Sequence, residues 1–468
     1  MNIRELISNH RTKIIIRLVL VLTLVISTSF VGSAYLSRHE SVDGPTTNTD
    51  VGDRIAGVSN GTTIITTQGS IPSVELPRSA ITEPNGAIYA INSSGTLIYR
   101  NTTYHAYFDV DPVPNTTSNV LYVAHEYVPK NECETKYPCY IRHIEIANLT
   151  TGEIRTIYTS KVSGPANGNA GRWHDVDRYD EDSILIADIE TDSVIIVNTT
   201  SGMVEWQWRA ERAFSPASGG EYTQDWTHIN DVELLPDGRI MADLRNQDVV
   251  IFLDPDTGLQ EEWTLGEDDN YEILNGQHNP DYIPESQGGP AVIVADSRNN
   301  RIAEYQRVNG SWEQSWVWQD SQMNWPRDAD RLPNGNTLIT DSGSNRVFEI
   351  NQKGEIIWRV TADNPYEAER LDTGDESQGG ESATRLGLES RTVDDRQVDE
   401  MSIKGMIKSI IPNAVINAIV FVKPVWMGFY HIGASLAIIG VLLIWPPLEF
   451  YWSEYELKIR TPIVLGRN

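Results

Sequence analysis

The chain has 468 residues, with 65 acidic and 37 basic side chains and a net charge of −28. That balance excludes nucleic acid as a partner, because such a surface must be basic to neutralise phosphates. It fits an acidic, heavily hydrated surface of the halophile kind, or an ordinary acidic bias.

Arg4, Arg11, Lys13 and Arg17 precede an uncharged stretch from Leu18 to Leu36. That is the length of a membrane helix, and the basic flank places residues 1–17 in the cytoplasm. We expect an uncleaved anchor over 18–36 rather than a signal peptide ended near Val31-Gly32-Ser33-Ala34. Residues 37–59, rich in Ser, Thr and Asp, read as a linker.

Residues 60–375 carry a repeat, clearest in Thr227–Asp254. Its apolar residues alternate in short runs (Val232, Leu234; Ile240, Ala242; Val249, Ile251, Leu253), separated by Pro236-Asp237-Gly238, Arg245-Asn246 and Asp254-Pro255-Asp256-Thr257-Gly258. Such runs between tight turns are antiparallel strands, and Trp263 is expected on a fourth. Ala-Asp pairs recur at 187/188, 242/243 and 295/296, with Thr340-Asp341 in the next copy. An Asp present in every copy points to structure, as a cap on the turn that follows. The tryptophans at 206, 208, 263, 316, 318 and 358 point to packing between blades.

Upstream, His105–Pro112 with NVLYVAHEY and YIRHIEIANLTTGEI forms another unit, and Asp109-Val110-Asp111 aligns with Asp175-Val176-Asp177. The unit at 61–101 lacks a first strand. Residues 365–371 resemble Arg327–Leu332 and can supply it. The predicted fold is an all-β, six-bladed propeller closed by its own C-terminal segment.

Residues 376–400 read as an acidic linker, 401–423 as an interfacial helix, 425–445 as a second membrane helix and 446–468 as a cytoplasmic tail. All seven N-x-S/T sequons lie between the two spans, which supports an extracellular propeller and a glycoprotein. Cys133 and Cys139, with five residues between them, are expected to form a small disulfide.

First strands line a propeller's channel. In the superposed repeats His174, His278 and Arg327 share a column, Asn230 takes it in its own blade, and His228 lies two residues earlier. Imidazoles and an arginine from separate blades thus converge on one axis. A structural role, knitting blades together, stands beside a catalytic one. Three histidines are also a plausible metal site, although no carboxylate beyond Asp175 or Asp231 is expected to point inward.

The stretches HINDVELLPDG with LRN, HDVDR, GQHNPDYI and the DG/NG units resemble the arylsulfate sulfotransferase (arylsulfotransferase, ASST) family over about residues 60–375. The resemblance implies a six-bladed propeller that moves a sulfuryl group from a phenolic sulfate donor to a phenol acceptor, with no nucleotide donor, metal or other cofactor. It implies a sulfated histidine at His278, supported by His174, His228, Asn230 and Arg245, with Arg327 added from the column. Familiar bacterial members are soluble with a separate β domain. This chain, with an anchor at each end contacting membrane lipid, is most similar to a haloarchaeal, membrane-attached branch. The other readings are a non-catalytic propeller serving as a ligand-binding or envelope scaffold, and a metal-dependent hydrolase.

Overall fold

The computed structural model describes residues 9–40, 55–57, 61–69, 86–128, 130–133, 139–163, 172–392 and 429–453. They fall into two units, one built from Met1–Gly44 and Trp426–Asn468, the other from Pro45–Val425.

The first unit contains an N-terminal helix, His10–Glu40, and a C-terminal helix, Phe429–Trp452. Their most apolar stretches, His10–Ser33 and His431–Trp452, are long enough to cross a membrane. Each differs from the expected span: the first starts earlier than Leu18, and the second runs past Trp445. Arg17 pairs with Glu449 at 2.5 Å and Phe30 stacks on His431 at 4.7 Å, so the two helices run antiparallel. The interfacial helix expected at 401–423 lies outside the described residues.

The second unit contains six antiparallel sheets, the blades of a propeller. From the inside outwards, blade 2 is 106–112, 119–128, 139–148 and 154–163, and blade 3 is 173–178, 183–188, 193–198 and 204–209. Blade 4 is 229–234, 240–244 and 249–254, with an outer strand split into 258–259 and 265–266. Blade 5 is 278–283, 291–296, 301–308 and 311–318, and blade 6 is 326–331, 337–341, 346–350 and 356–361. Blade 1 takes its innermost strand from 365–370, which pairs with 63–67 and is followed by 88–91 and 97–101. Thr63 faces Arg370 and Ile65 faces Ala368, the closure predicted from the repeat. Closure removes the open edges that a six-sheet ring would otherwise leave.

The core lies between blades rather than at one centre. Leu185, Val194 and Trp208 of blade 3 pack on Val232, Ala242 and Ile251 of blade 4, and Ile293 and Trp318 of blade 5 on Ile339 and Phe348 of blade 6. Second strands are sandwiched on both faces, so Ser183–Asp188 and Ala291–Asp296 are buried throughout. The outer strand Ile356–Thr361 faces solvent on one side and alternates.

Three expectations fail. Ile55–Gly57 is not linker but a fifth strand on the edge of blade 6, paired with 358–360. Trp263 ends a single 3-10 turn, Glu261–Trp263, that interrupts the outer strand of blade 4. Its neighbours Arg239 and Arg307 lie 3.9 and 4.1 Å over its ring, so the side chain is used from a turn. Residues 376–392, expected as linker, fold back onto the propeller. Ser377 bonds to Asp281, the Ala383 N–H donates to Glu304 at 2.7 Å, and the Arg391 N–H donates to the Val317 carbonyl at 2.8 Å. Those hydrogen bonds outweigh a linker-like composition.

Candidate functional site at one mouth of the channel

Each of blades 3 to 6 ends its turn between second and third strands in a left-handed residue: Asp192 (φ 48°), Asp248 (53°), Asn300 (55°) and Asn345 (55°). Asp and Asn tolerate that conformation. Their side chains accept the backbone N–H of the segment entering the next blade, from Thr227 at 3.0 Å, Gly276 at 2.7 Å, Trp325 at 2.8 Å and Asn364 at 3.2 Å. These four residues stand one or two positions ahead of His228, His278, Arg327 and Tyr366, so the recurring turn places the site at the start of the innermost strands. The Asp of the recurring Ala-Asp or Thr-Asp pair ties the entry within its own blade, as in Asp296 to the Asn275 N–H at 2.9 Å and Asp341 to the Asn324 N–H at 2.9 Å. His228 (φ 49°), Asn279 (37°) and Trp325 (55°) are held left-handed at this mouth, a conformation that costs energy in residues of this size.

His174, Asn230, Arg327 and Tyr366 hold the second position of their innermost strands. His278 holds the first, and a register shift separates it from Asp281. Its Nδ1 lies 2.8 Å from the Ser297 hydroxyl oxygen, and that hydroxyl donates to the Pro326 carbonyl at 2.6 Å. A serine hydrogen spent on a carbonyl leaves the oxygen to accept. Nδ1 therefore carries the proton and Nε2 keeps its lone pair. Burial, then the charges of Arg245 and Arg327, push the His278 pKa well below the usual imidazole value, so the ring is neutral at pH 7.

His228 differs. Its Nδ1 lies 2.7 Å from an Asp225 carboxylate oxygen. Burial lowers its pKa, but Asp225 opposes the shift and stabilises the cation whenever a proton arrives. His174 has no hydrogen-bond partner on either nitrogen. It stacks on Phe108 at 4.5 Å and meets His228 at 5.1 Å and Tyr366 at 5.4 Å. Burial, then His228 and Arg172, keep it neutral.

Arg245 and Arg327 are buried enough to be pushed down to about 10, and both stay charged at neutral pH. Arg245 lies 5.7 Å over Trp325 and Arg327 lies 5.0 Å over Tyr366, while His278 meets Trp325 at 6.1 Å and Tyr366 at 6.3 Å. The three histidines and two arginines are thus joined in one cluster. Asn230 donates its amide to the Gln277 carbonyl at 3.3 Å, which ties blade 4 to blade 5 just ahead of His278, while its Oδ1 has no protein partner.

Tyr366, Asp225, Ser297, Trp325 and Arg172 escaped the sequence reading. Tyr366 was legible, because the closing strand puts it level with His174 and Arg327. The others stand outside the aligned strands. Cys133 and Cys139 are bonded, Cα atoms 5.8 Å apart, where the long second and third strands of blade 2 are connected. That extension packs Tyr127, Tyr140 and Val162 together, and Arg172 lies 5.9 Å from both Tyr140 and Phe108, so the hairpin walls the mouth. Among the described residues, the groups spaced to hold a metal contain only carboxylates and no histidine.

The fold and the site define a six-bladed propeller with a neutral, hydroxyl-anchored histidine between two arginines at one mouth. Residues 166–301 match the model of the arylsulfotransferase (ASST) family. The matched stretch holds His174, His228, Asn230, Arg245 and His278 and supports that family. No curated protein matches the chain. Solved structures similar to it include a nidogen/laminin complex, at 12% identity over 66% of this chain and 97% of that one, with a TM-score of 0.41. The periplasmic gluconolactonase of Pseudomonas aeruginosa shares 10% identity over 67% and 99%, with a TM-score of 0.43. Virginiamycin B lyase from Staphylococcus aureus shares 10% over 65% and 87%, with a TM-score of 0.35.

Proposed function

We propose that the protein is a membrane-anchored arylsulfotransferase that carries a sulfuryl group from an aryl sulfate to a phenol through a sulfated His278. The observation that carries this reading is the state of His278: Nδ1 protonated and held by Ser297, Nε2 bearing the lone pair, and two arginines beside it.

In the first half-reaction Nε2 attacks sulfur, an N–S bond forms and the S–O bond to the aryl ring breaks. The departing phenolate takes a proton from the acid-base group, and the second half-reaction reverses these steps with the acceptor phenol. His228 suits the acid-base role because Asp225 supports its protonated form, as no carboxylate does for His174. Arg245 and Arg327 face the charge on the sulfuryl oxygens, whose transfer demands charge stabilisation as phosphoryl transfer does. Phe108, Tyr366 and Trp325 offer an apolar wall for an aryl ring.

The two apolar helices, the disulfide and the acidic composition support a propeller held outside the cell by two anchors, in a haloarchaeal type of setting. Incubation with a chromogenic aryl sulfate, with and without a phenol, tests the reading. Release of the chromophore that depends on acceptor is expected. Acceptor-independent hydrolysis or silence would turn the reading towards the hydrolase or the scaffold.

Arg245→Ala should leave a slow enzyme, down about a hundred- to a thousandfold in kcat, the usual loss on removing one charge-stabilising donor. An unchanged kcat would remove Arg245 from the mechanism. The pH profile checks the nucleophile. His278 is faced by Arg245, Arg327 and His228, and burial and these charges all hold its pKa down. Its lone pair is lost only when pH falls through that depressed value. The acid limb of kcat/KM assigned to His278 should therefore lie below the ordinary imidazole value of about 6.5. A limb at or above that value would show a histidine in a different environment.

A further inference from the structure

Past the histidines the innermost strands turn acidic. Segments 109–111, 175–177, 231–233, 328–330 and 367–369 each read acid-x-acid, and the i, i+2 spacing puts both acids on one face. Part of this is a staple between blades: Asp175 accepts the Val232 N–H at 2.6 Å, Glu367 the Val110 N–H at 2.9 Å and Asp328 the Ala368 N–H at 3.0 Å. The remaining oxygens are unexplained by stapling.

We propose that Asp281, Asp328, Asp330 and Glu376 bind one hard divalent cation of the calcium type inside the channel. One ligand oxygen from each lies within 4.8 Å of all the others. Oxygens on opposite sides of calcium, bonded at roughly 2.3–2.6 Å, stand about that far apart. Asp281, Asp328 and Asp330 are fully buried. Hydrogen bonding sorts their oxygens. Asp328 Oδ2 accepts from the Ala368 N–H and from the Thr340 hydroxyl at 3.2 Å, while Oδ1 has no partner. Asp281 Oδ2 accepts from the Ser377 hydroxyl, while Oδ1 has no partner. Asp330 accepts no N–H or hydroxyl on either oxygen and meets only the neighbouring Asp328 carboxyl. Two ligands are thus anchored through one oxygen and present the other, as coordinating carboxylates do.

Such oxygens, buried and unpaired, are costly without a donor or a cation. The nearby arginines make their ion pairs elsewhere, Arg331 with Glu304 at 3.0 Å and Arg370 with Glu349 at 2.8 Å, and reach Asp281 and Asp330 only through longer-range attraction. An all-oxygen set excludes soft metals, and four protein carboxylates suit calcium better than magnesium, which keeps its waters. Glu376 also lines a cavity of about 420 Å³, bordered by Asp111, Asp177 and Glu233, that gives an ion a way in. The ligands come from blade 5, blade 6 and the segment after the closing strand, so the ion would clamp the ring where it closes. Nothing here depends on the chemistry at the histidine mouth.

The test uses the full chain in detergent, stripped with a chelator and titrated with calcium chloride by calorimetry, with metal content and thermal unfolding measured alongside. One calcium per chain and a melting temperature that rises with calcium are expected. Asp330→Asn and Glu376→Gln should each weaken binding by more than about tenfold, the loss that removing even an outer partner of a metal ligand brings. Glu181→Gln, at an exposed acid, should leave it unchanged. If Asp330→Asn does not fold, Glu376→Gln decides, because its side chain borders the cavity. No calcium uptake, uptake of magnesium in its place, or binding unchanged in the variants overturns the proposal.

Discussion

Replacing His278 with alanine is expected to abolish sulfuryl transfer to phenols and to prevent any sulfated form of the enzyme from accumulating. The ring is the one imidazole at the mouth whose Nδ1 is held by a neutral hydroxyl, and burial with the charges of Arg245 and Arg327 outweighs the Gly276 backbone contact that favours the protonated, non-nucleophilic state. His278→Asn should fail equally, although an amide can still reach Ser297, because it has no basic nitrogen to attack sulfur. Enzyme quenched with donor and no acceptor should gain one sulfuryl group on the peptide containing His278, read by mass spectrometry. Thermal unfolding of both variants separates a lost nucleophile from a lost fold. Full activity in His278→Ala, or the label on another peptide, would mean that a different histidine or a different reaction is at work.

Arg331→Ala should destabilise the propeller by about 3–5 kcal/mol, the usual cost of leaving one partner of a buried ion pair alone. Arg331 is 1% exposed, pairs with Glu304 of blade 5 at 3.0 Å and lies 4.7 Å over Trp316. Glu304 is also fully buried, and its other oxygen accepts the Ala383 N–H at 2.7 Å. The substitution therefore strands a carboxylate between two blades and loosens the segment that folds back over them. Denaturant unfolding measures the loss. A change below about 1 kcal/mol would put this pair in the class of exposed ones.

The fold was legible because its signals are local and repeated. Period-two runs, turn residues and the Ala-Asp pair recur blade after blade, and the match of 365–371 to Arg327–Leu332 pointed to closure. Ile55–Gly57 was missed because a three-residue edge strand has too few positions to show a period. Residues 376–392 were missed because a Gly, Ser and Glu composition describes solvent preference, whereas Ser377 is held between the Arg331 N–H and the buried Asp281, and Ala383 by the buried Glu304. At the mouth, histidines and arginines stand out by type, but Asp225 and Ser297 matter only through what they touch. The acidity was only partly read. A net charge of −28 reads as a hydrated exterior, and the burial of Asp109, Asp281, Asp328, Asp330 and Glu369 in the channel was not foreseen. The acid-x-acid pattern was visible in the aligned first strands, and its repetition was the missed clue.

The innermost strand of blade 1 is the last part of the ring to be synthesised. Until residues 365–370 emerge from the ribosome, Thr63–Thr67 has no partner on its inner side, and His174, His278 and Arg327 face a gap where Tyr366 belongs. The nascent chain therefore holds every histidine of the site and yet no assembled site. A product cut short before that point displays an open strand edge, the feature by which unfinished proteins aggregate or are recognised and removed. Emergence of that closing strand, and not the arrival of any one histidine, is the event that assembles the mouth.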